Sequence, residues 1–280
     1  MMSTSVAVET DPRLTVERAE RLFHYASDHL LDGSTFKCAT HQTCRRSAEA
    51  QPGVTLFEGQ LPHLGSHYDT SDAGRAFRVL IVPMDMGNEQ ARISLIERQA
   101  QVRKLVGGEW SDRNPHMKGV VLALRLVFGL PLGTDPKGEW LETNTGRVHL
   151  LDAYAMANLT LCSAIVPRAA KPASGTTSCT TDTMRRNCFR HLENTVSILQ
   201  PTVVIGQGAP VRDSVGERLR IERRVGEFVS IASLAGTRFV WVPLKHPTRN
   251  WFSLKHRYLH DVVVPSLRLA RAVALDTAWS

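Results

Sequence analysis

The sequence predicts an α/β fold: a three-layer α/β/α sandwich around a central, mainly parallel four-stranded sheet. Two observations carry this expectation. Four short apolar runs each end in a loop of chemically capable residues: FRVLIVPMDMGN (77–88), AYAMANLTLC (153–162), TVVIGQG (202–208) and FVWVPLKHP (239–247). Strands of open α/β sheets have this form, and their chemistry sits in such loops. Stretches of helical periodicity separate the runs, and strands alternating with helices favour parallel pairing. The pattern proposes Asp85, Asn158 and His246 along one sheet edge.

The elements follow in order. Residues 11–32 read as a helix, with Asp11 as N-cap, Pro12 at the first helical position, and Ala19, Leu22, Phe23, Ala26 and Leu30 on one face. Gly33 ends it. Residues 34–76 are loop-like and contain FKCATHQTC, which sets Cys38 close to Cys44. A loop this long inside a compact domain is functional or is held by something other than its own core. Asn88 can cap a basic helix reaching Lys104, and NPHMKGVVLALRLVFGL (114–130) reads as a loop entering an apolar helix that ends at Gly129. Residues 88–113 and 131–147 look like insertions.

Farther on, Thr and Asp residues at the end of KPASGTTSCTTDT (171–183) can cap a helix from Met184 to Leu199. Met184, Cys188, Leu192, Thr195 and Leu199 share a face there, so Cys188 points inward. Residues 209–236 read as helical, with arginines at 218, 220, 223 and 224. Basic helical sequence, broken at Pro265, closes the chain. The expected organisation is an N-terminal helical extension, 1–35, and one α/β domain, 36–280.

Composition bounds the function. The chain is 42% hydrophobic and 22% charged, without an apolar run near the roughly 18 residues that span a membrane. MMSTSVAVETDPR lacks a basic n-region and an apolar core, so the expectation is a cytoplasmic protein. A net charge of +7 and a pI near 9.4 suit either a polyanionic partner such as DNA or a solubilising surface. Five cysteines, an odd number, argue against a disulfide framework and towards metal ligation or buried thiols.

Taken together, the motifs resemble the uracil-DNA glycosylase superfamily, closest to its iron-sulfur branch, over about residues 38–252. MRRNCFRHLENTVSILQPTVVIGQGAPV (184–211) looks like that branch's cysteine-bearing helix followed by Pro and a strand ending in glycine. ANLTLC (157–162) looks like its Asn-containing strand that ends in cysteine, and LKHPT (244–248) resembles its His-Pro-Ser motif. The first motif departs from the pattern. The iron-sulfur branch usually has Gly-Glu-Ala-Pro-Gly and the type enzymes Gly-Gln-Asp-Pro-Tyr, whereas this chain reads Pro83, Met84, Asp85, Met86, Gly87.

The resemblance implies a monomeric DNA glycosylase that flips out a uracil-like or modified pyrimidine and hydrolyses its N-glycosidic bond. It implies Asp85 and His246 as catalytic residues, Asn158 as reader of the base edge, and Met84, Met86, Gly87 and His116 around the base. Thr248, Arg249, Asn250 and Trp251 would follow as the DNA-penetrating loop, although Trp251 could equally anchor the last helix. Cys38, Cys44, Cys162 and Cys188 match the order of the cluster ligands, for a four-iron cluster or, with the same donors, zinc. Cys179 is then the odd thiol. The two methionines suit a bulkier base, including the hypermodified pyrimidines of phage DNA, which would make the role antiviral defence rather than repair. A DNA-binding protein that traps DNA covalently or does not turn over is the rival of a different class.

Overall fold

Apolar residues alternate between two faces along each central strand, and this alternation determines the layering. The computed structural model describes residues 8–166, 178–247 and 251–276. We number the strands of the main sheet β1 (His63–Leu64), β2 (Val79–Val82), β3 (Tyr154–Met156), β4 (Val203–Gln207), β5 (Arg220–Gly226), β6 (Val229–Leu234) and β7 (Thr237–Leu244). The helices are α1 (Pro12–His29), α2 (His41–Glu49), α3 (Leu95–Arg103), α4 (Pro115–Val127), α5 (Asp182–Leu199), α6 (Ala209–Gly216) and α7 (Val264–Ala274).

Strand order is β5-β6-β7-β4-β2-β3-β1. The pairs β7/β4, β4/β2 and β2/β3 are parallel, whereas β5/β6, β6/β7 and β3/β1 are antiparallel. The expectation of a four-stranded, mainly parallel sheet is therefore corrected: the sheet is mixed and seven-stranded. The four parallel strands at its centre come from the four apolar runs, and antiparallel strands extend both sides.

Val79, Ile81, Val203 and Ile205 face a core shared with α4 and α7, while Leu80, Val82 and Val204 face one shared with α1 and α5. α4 is buried on nearly every side, as an all-round apolar helix must be. Gly129, at φ +79°, follows its end. The N-terminal helix packs onto the second core. Leu22 joins the second core, and Arg18 pairs with Asp69 at 2.9 Å and donates to the Ile198 carbonyl at 2.8 Å.

Elsewhere local signals misled. The segment expected to be helical over 209–236 is α6 followed by the β5–β6 hairpin, in which the largely buried VSIASL pairs with β5 on one side and β7 on the other. The helix expected from Asn88 starts at Leu95, where Ser94 and Glu97 form a capping box. Phe23, placed on the inward face of α1, is 55% exposed. Residues 34–76 hold α2 and several short strands, and residues 131–147 lead into the hairpin Trp140–Thr143/Gly146–His149. Glu139 anchors that hairpin, accepting from Arg113 at 2.6 Å and from His149 at 3.0 Å in a fully buried network. Pro265 lies in the first turn of α7, where proline is tolerated, rather than breaking the helix.

Candidate functional site

Parallel strands present their C-terminal ends at one edge, and the order β3-β2-β4-β7 sets four loops side by side there. From β3 comes Asn158, from β2 Pro83–Gly87, from β4 Gln207 and Gly208, and from β7 Lys245–Pro247. Pairing between β3 and β2 continues past the strands: Leu159 N–H donates to Pro83 O at 2.8 Å and Thr160 N–H to Met84 O at 2.9 Å. Asn158 is thereby fixed beside the loop that carries Asp85.

Asp85 is half-buried, between Met84 and Met86, which are also half-buried; Gly87 is exposed. The Asp85 Oδ2 accepts from the hydroxyls of Ser178 and Thr180, the latter at 2.6 Å. Burial pushes its pKa above the usual carboxylate value, against the lowering effect of both hydroxyls and the Gly87 N–H. Gly87 N–H also donates to Ser163 Oγ at 3.0 Å, and Ser163 donates to Gln60 Oε1 at 2.7 Å. The carboxylate is thus oriented through one oxygen.

His246 is half-buried, and burial pulls its pKa down. Its ring stacks on that of His116, with centroids 5.6 Å apart and planes at 22°. His116 occupies the first turn of α4, which Asn114 caps, and its Nε2 lies 3.5 Å from Met156 Sδ. Burial, then His246 and Arg98, bring the His116 pKa down to about 3, so this imidazole is neutral throughout the working pH range. Gly208, at φ +105°, brings β4 under His246: a Cβ built there would stand 3.5 Å from the histidine Cβ. Pro247 presses on Gly119 of α4, where a Cβ would lie 2.5 Å from Pro247 Cγ. Only glycine admits this approach, which locks the His-Pro turn to α4.

Asn158 is 5% exposed, and among the described residues its side chain makes no hydrogen bond. Gln207, fully buried at the end of β4, has both amide atoms unpaired among the described residues. A fully buried amide without partners is costly, which sets Gln207 apart at this edge, beside the slightly exposed Asn158. Gln207 is not among the residues expected from the motifs, although a polar residue between two glycines at a strand end is a visible signal. Thr248, Arg249 and Asn250 lie outside the described residues. Trp251 corrects an expectation: it is fully buried, donates its indole N–H to Lys245 O at 2.7 Å, and packs 3.3 Å from the Cβ position of Gly119. It anchors the turn in the core and is not displayed for insertion into a duplex.

The cysteines form a second region. Cys38 precedes α2, Cys44 lies in it, Cys162 follows β3 and Cys188 is on α5; all four are buried. Leu161 N–H points at Cys188 Sγ at 3.5 Å, Asn187 Nδ2 at Cys44 Sγ at 3.3 Å, and Gly59 N–H at Cys162. Burial raises the thiol pKa of Cys44, that of Cys162 strongly, and that of Cys188 to about 12; charge on neighbouring sulfurs adds to each. Cys38 and Cys188 share one apolar cluster and Cys44 and Cys162 another, with Phe36 packed against both; Leu161 beside Cys162 reaches Cys188, and Asn187 beside Cys188 reaches Cys44, so the four thiols lie along one seam. Tyr25 OH lies 2.6 Å from His191 Nδ1, and His191 Nε2 is 3.6 Å from Cys38 Sγ. Cys179 is half-buried at the margin. Among the described residues no three His, Cys, Asp or Glu side chains converge on a single-ion position, and no helix is long and apolar enough to cross a membrane. No protein-family model matches the chain, and no curated protein matches it at a significant level.

Proposed function

We propose that the protein is a DNA glycosylase of the uracil-DNA glycosylase superfamily, which removes a pyrimidine from DNA and leaves an abasic site. The observation that carries this reading is the strand order, which gathers Asn158, Asp85, Gln207 and His246 from four distant stretches onto one edge. Hydrolysis breaks the bond between C1′ and the base nitrogen, whose electron pair departs with the base. Positive charge develops on the sugar and negative charge on the base. Asp85, ionised and held through Oδ2, faces the cationic sugar and takes a proton from the attacking water. That proton ends on the released base or in solvent. His246, neutral because burial opposes its protonation, donates a hydrogen bond to the pyrimidine oxygen where charge builds. A preorganised donor of this kind is worth roughly 2.7–4 kcal/mol. Asn158 supplies donor and acceptor to the flipped base's Watson–Crick edge, and the unpaired amide of Gln207 is a further partner there.

Four buried thiols, with N–H donors aimed at three of them, suit an iron-sulfur cluster, with zinc as the lesser alternative for the same donors. Cys38, Cys44, Cys162 and Cys188 would hold it. When bound it supplies a cross-link between α2, α5 and the loop after β3 and takes no part in bond cleavage.

A bulkier modified pyrimidine is the second reading, favoured by the half-buried methionines on both sides of Asp85, whose unbranched side chains adapt to shape. The test is base release, followed by mass spectrometry, from DNAs carrying uracil or modified pyrimidines, with Asp85→Ala as control. Asp85-dependent release of one base is the expected result and names the substrate. A denaturation-resistant adduct without free base would replace hydrolysis by covalent trapping. Binding without either product would leave a DNA-binding module.

A further inference from the structure

β5 is an edge strand, and its exposed run Arg220, Ile221, Glu222, Arg223, Arg224 carries three arginines in five residues. Glu222 is matched by Arg238 at 2.7 Å. Arg220, Arg223 and Arg224, by contrast, make no ion pair or side-chain hydrogen bond among the described residues. Arginine is a strong donor to phosphate, and solvated guanidinium groups without carboxylate partners give up little on meeting one. Because β5 and β7 are both antiparallel to β6, they run in the same direction. The end of β5 that bears Arg223 and Arg224 therefore lies towards the edge that holds His246. Two strand spacings of about 4.8 Å separate β5 from β7, and Arg224 is level with Trp241, so the arginines begin about 10 Å to the side of β7 and about 16 Å back from His246, running away from the site along the sheet. At about 3.3 Å per residue, Arg220 and Arg224 are at most about 13 Å apart. Register shifts after Ile221 and after Arg224 mark bulges, which turn neighbouring side chains out of strict alternation.

We infer that the Arg220–Arg224 edge is a track for the DNA backbone, along which the duplex leading away from the candidate site lays its phosphates. The inference rests on the DNA-glycosylase reading and adds to it the direction in which the nucleic acid leaves the site. Charge on an edge strand also prevents pairing with other chains, and the experiment separates the two roles.

Affinity for a short undamaged duplex is measured over a salt series for the wild type, for Arg220→Gln/Arg223→Gln/Arg224→Gln, and for a control of equal charge change, Arg13→Gln/Arg21→Gln/Lys137→Gln. Each lost phosphate contact lowers the slope of log affinity against log salt by about 0.9. The β5 variant is expected to lose about 2 to 3 units of slope and the control less than one. Equal slopes for wild type and β5 variant, or equal losses in both variants, would overturn the track and leave the arginines as edge protection or bulk charge. Absence of wild-type binding at low salt would remove the DNA reading itself, and the track with it.

Discussion

The sheet edge and the cysteine seam both collect reactive side chains from distant stretches, but they are built in opposite ways. At the edge, Asp85, His116 and His246 are half-buried, and the amides of Asn158 and Gln207 have no partners among the described residues. In the seam all four thiols are buried, and donors already point at three of them. Unsatisfied polar groups beside partial exposure belong to a place that receives something from solvent. Buried and supported thiols are what the proposed cluster would require. The seam also lies where secondary structure is weakest: around Cys38 and Cys162 the strands are two or three residues long. A cross-link would do there what the hydrogen-bond ladder does in the parallel centre.

The contrast breaks most clearly at the seam. Cys188→Ser is expected to abolish bound iron, read by absorbance and metal analysis of anaerobically purified protein, and to cause the largest fall in Tm of any change proposed. Iron retained at the wild-type level would mean that the seam is a thiol core. Next comes Trp251→Ala, expected to cost about 3–5 kcal/mol in denaturant unfolding, as for other large buried aromatics. A loss below about 1 kcal/mol accompanied by weaker DNA affinity would return Trp251 to the interface.

Asp85→Asn sharpens the other side. Base release should fall about 100- to 1000-fold, with Tm at or above that of the wild type, because a half-buried charge has been removed. Lost activity with a large drop in Tm would make Asp85 a structural clamp on Ser178 and Thr180. The pH profile follows from the same carboxylate. Burial raises its pKa, so the ionised form is complete only above that raised value, while His246, its pKa lowered below the ordinary imidazole value, is neutral near neutral pH. Release should be flat near neutrality and fall about tenfold per pH unit on the acid side, starting above the ordinary carboxylate range of about 4. A limb that appears only on the alkaline side would contradict this assignment. The smallest effect belongs to Cys179→Ser, expected to leave iron content unchanged and to shift stability by no more than about 0.5 kcal/mol. Loss of iron there would redraw the seam.

Legibility in the sequence followed the range of the interactions. The four apolar runs became the four parallel strands, Asp11 caps α1, and Cys188 points inward, because each of these depends on burial periodicity or on a cap a few residues away. The hairpin β5–β6 was hidden because its arginine-rich strand satisfies helix propensity and finds its partner only across a turn. Trp251 illustrates the same limit, since nothing near it in sequence reveals that Gly119 leaves room for Pro247 and the indole.

By itself, then, the sequence determined an α/β protein with a basic surface, four inward or loop-borne cysteines, and polar residues at the ends of apolar strands. Those are consequences of composition and short-range pattern. Only the tertiary structure decided the order β3-β2-β4-β7, the stacking of His116 on His246, the unpaired amide of Gln207 and the gathering of four thiols in one seam. Each of these joins residues tens of positions apart. Their contact follows from how whole strands and helices pack, which local propensity does not encode.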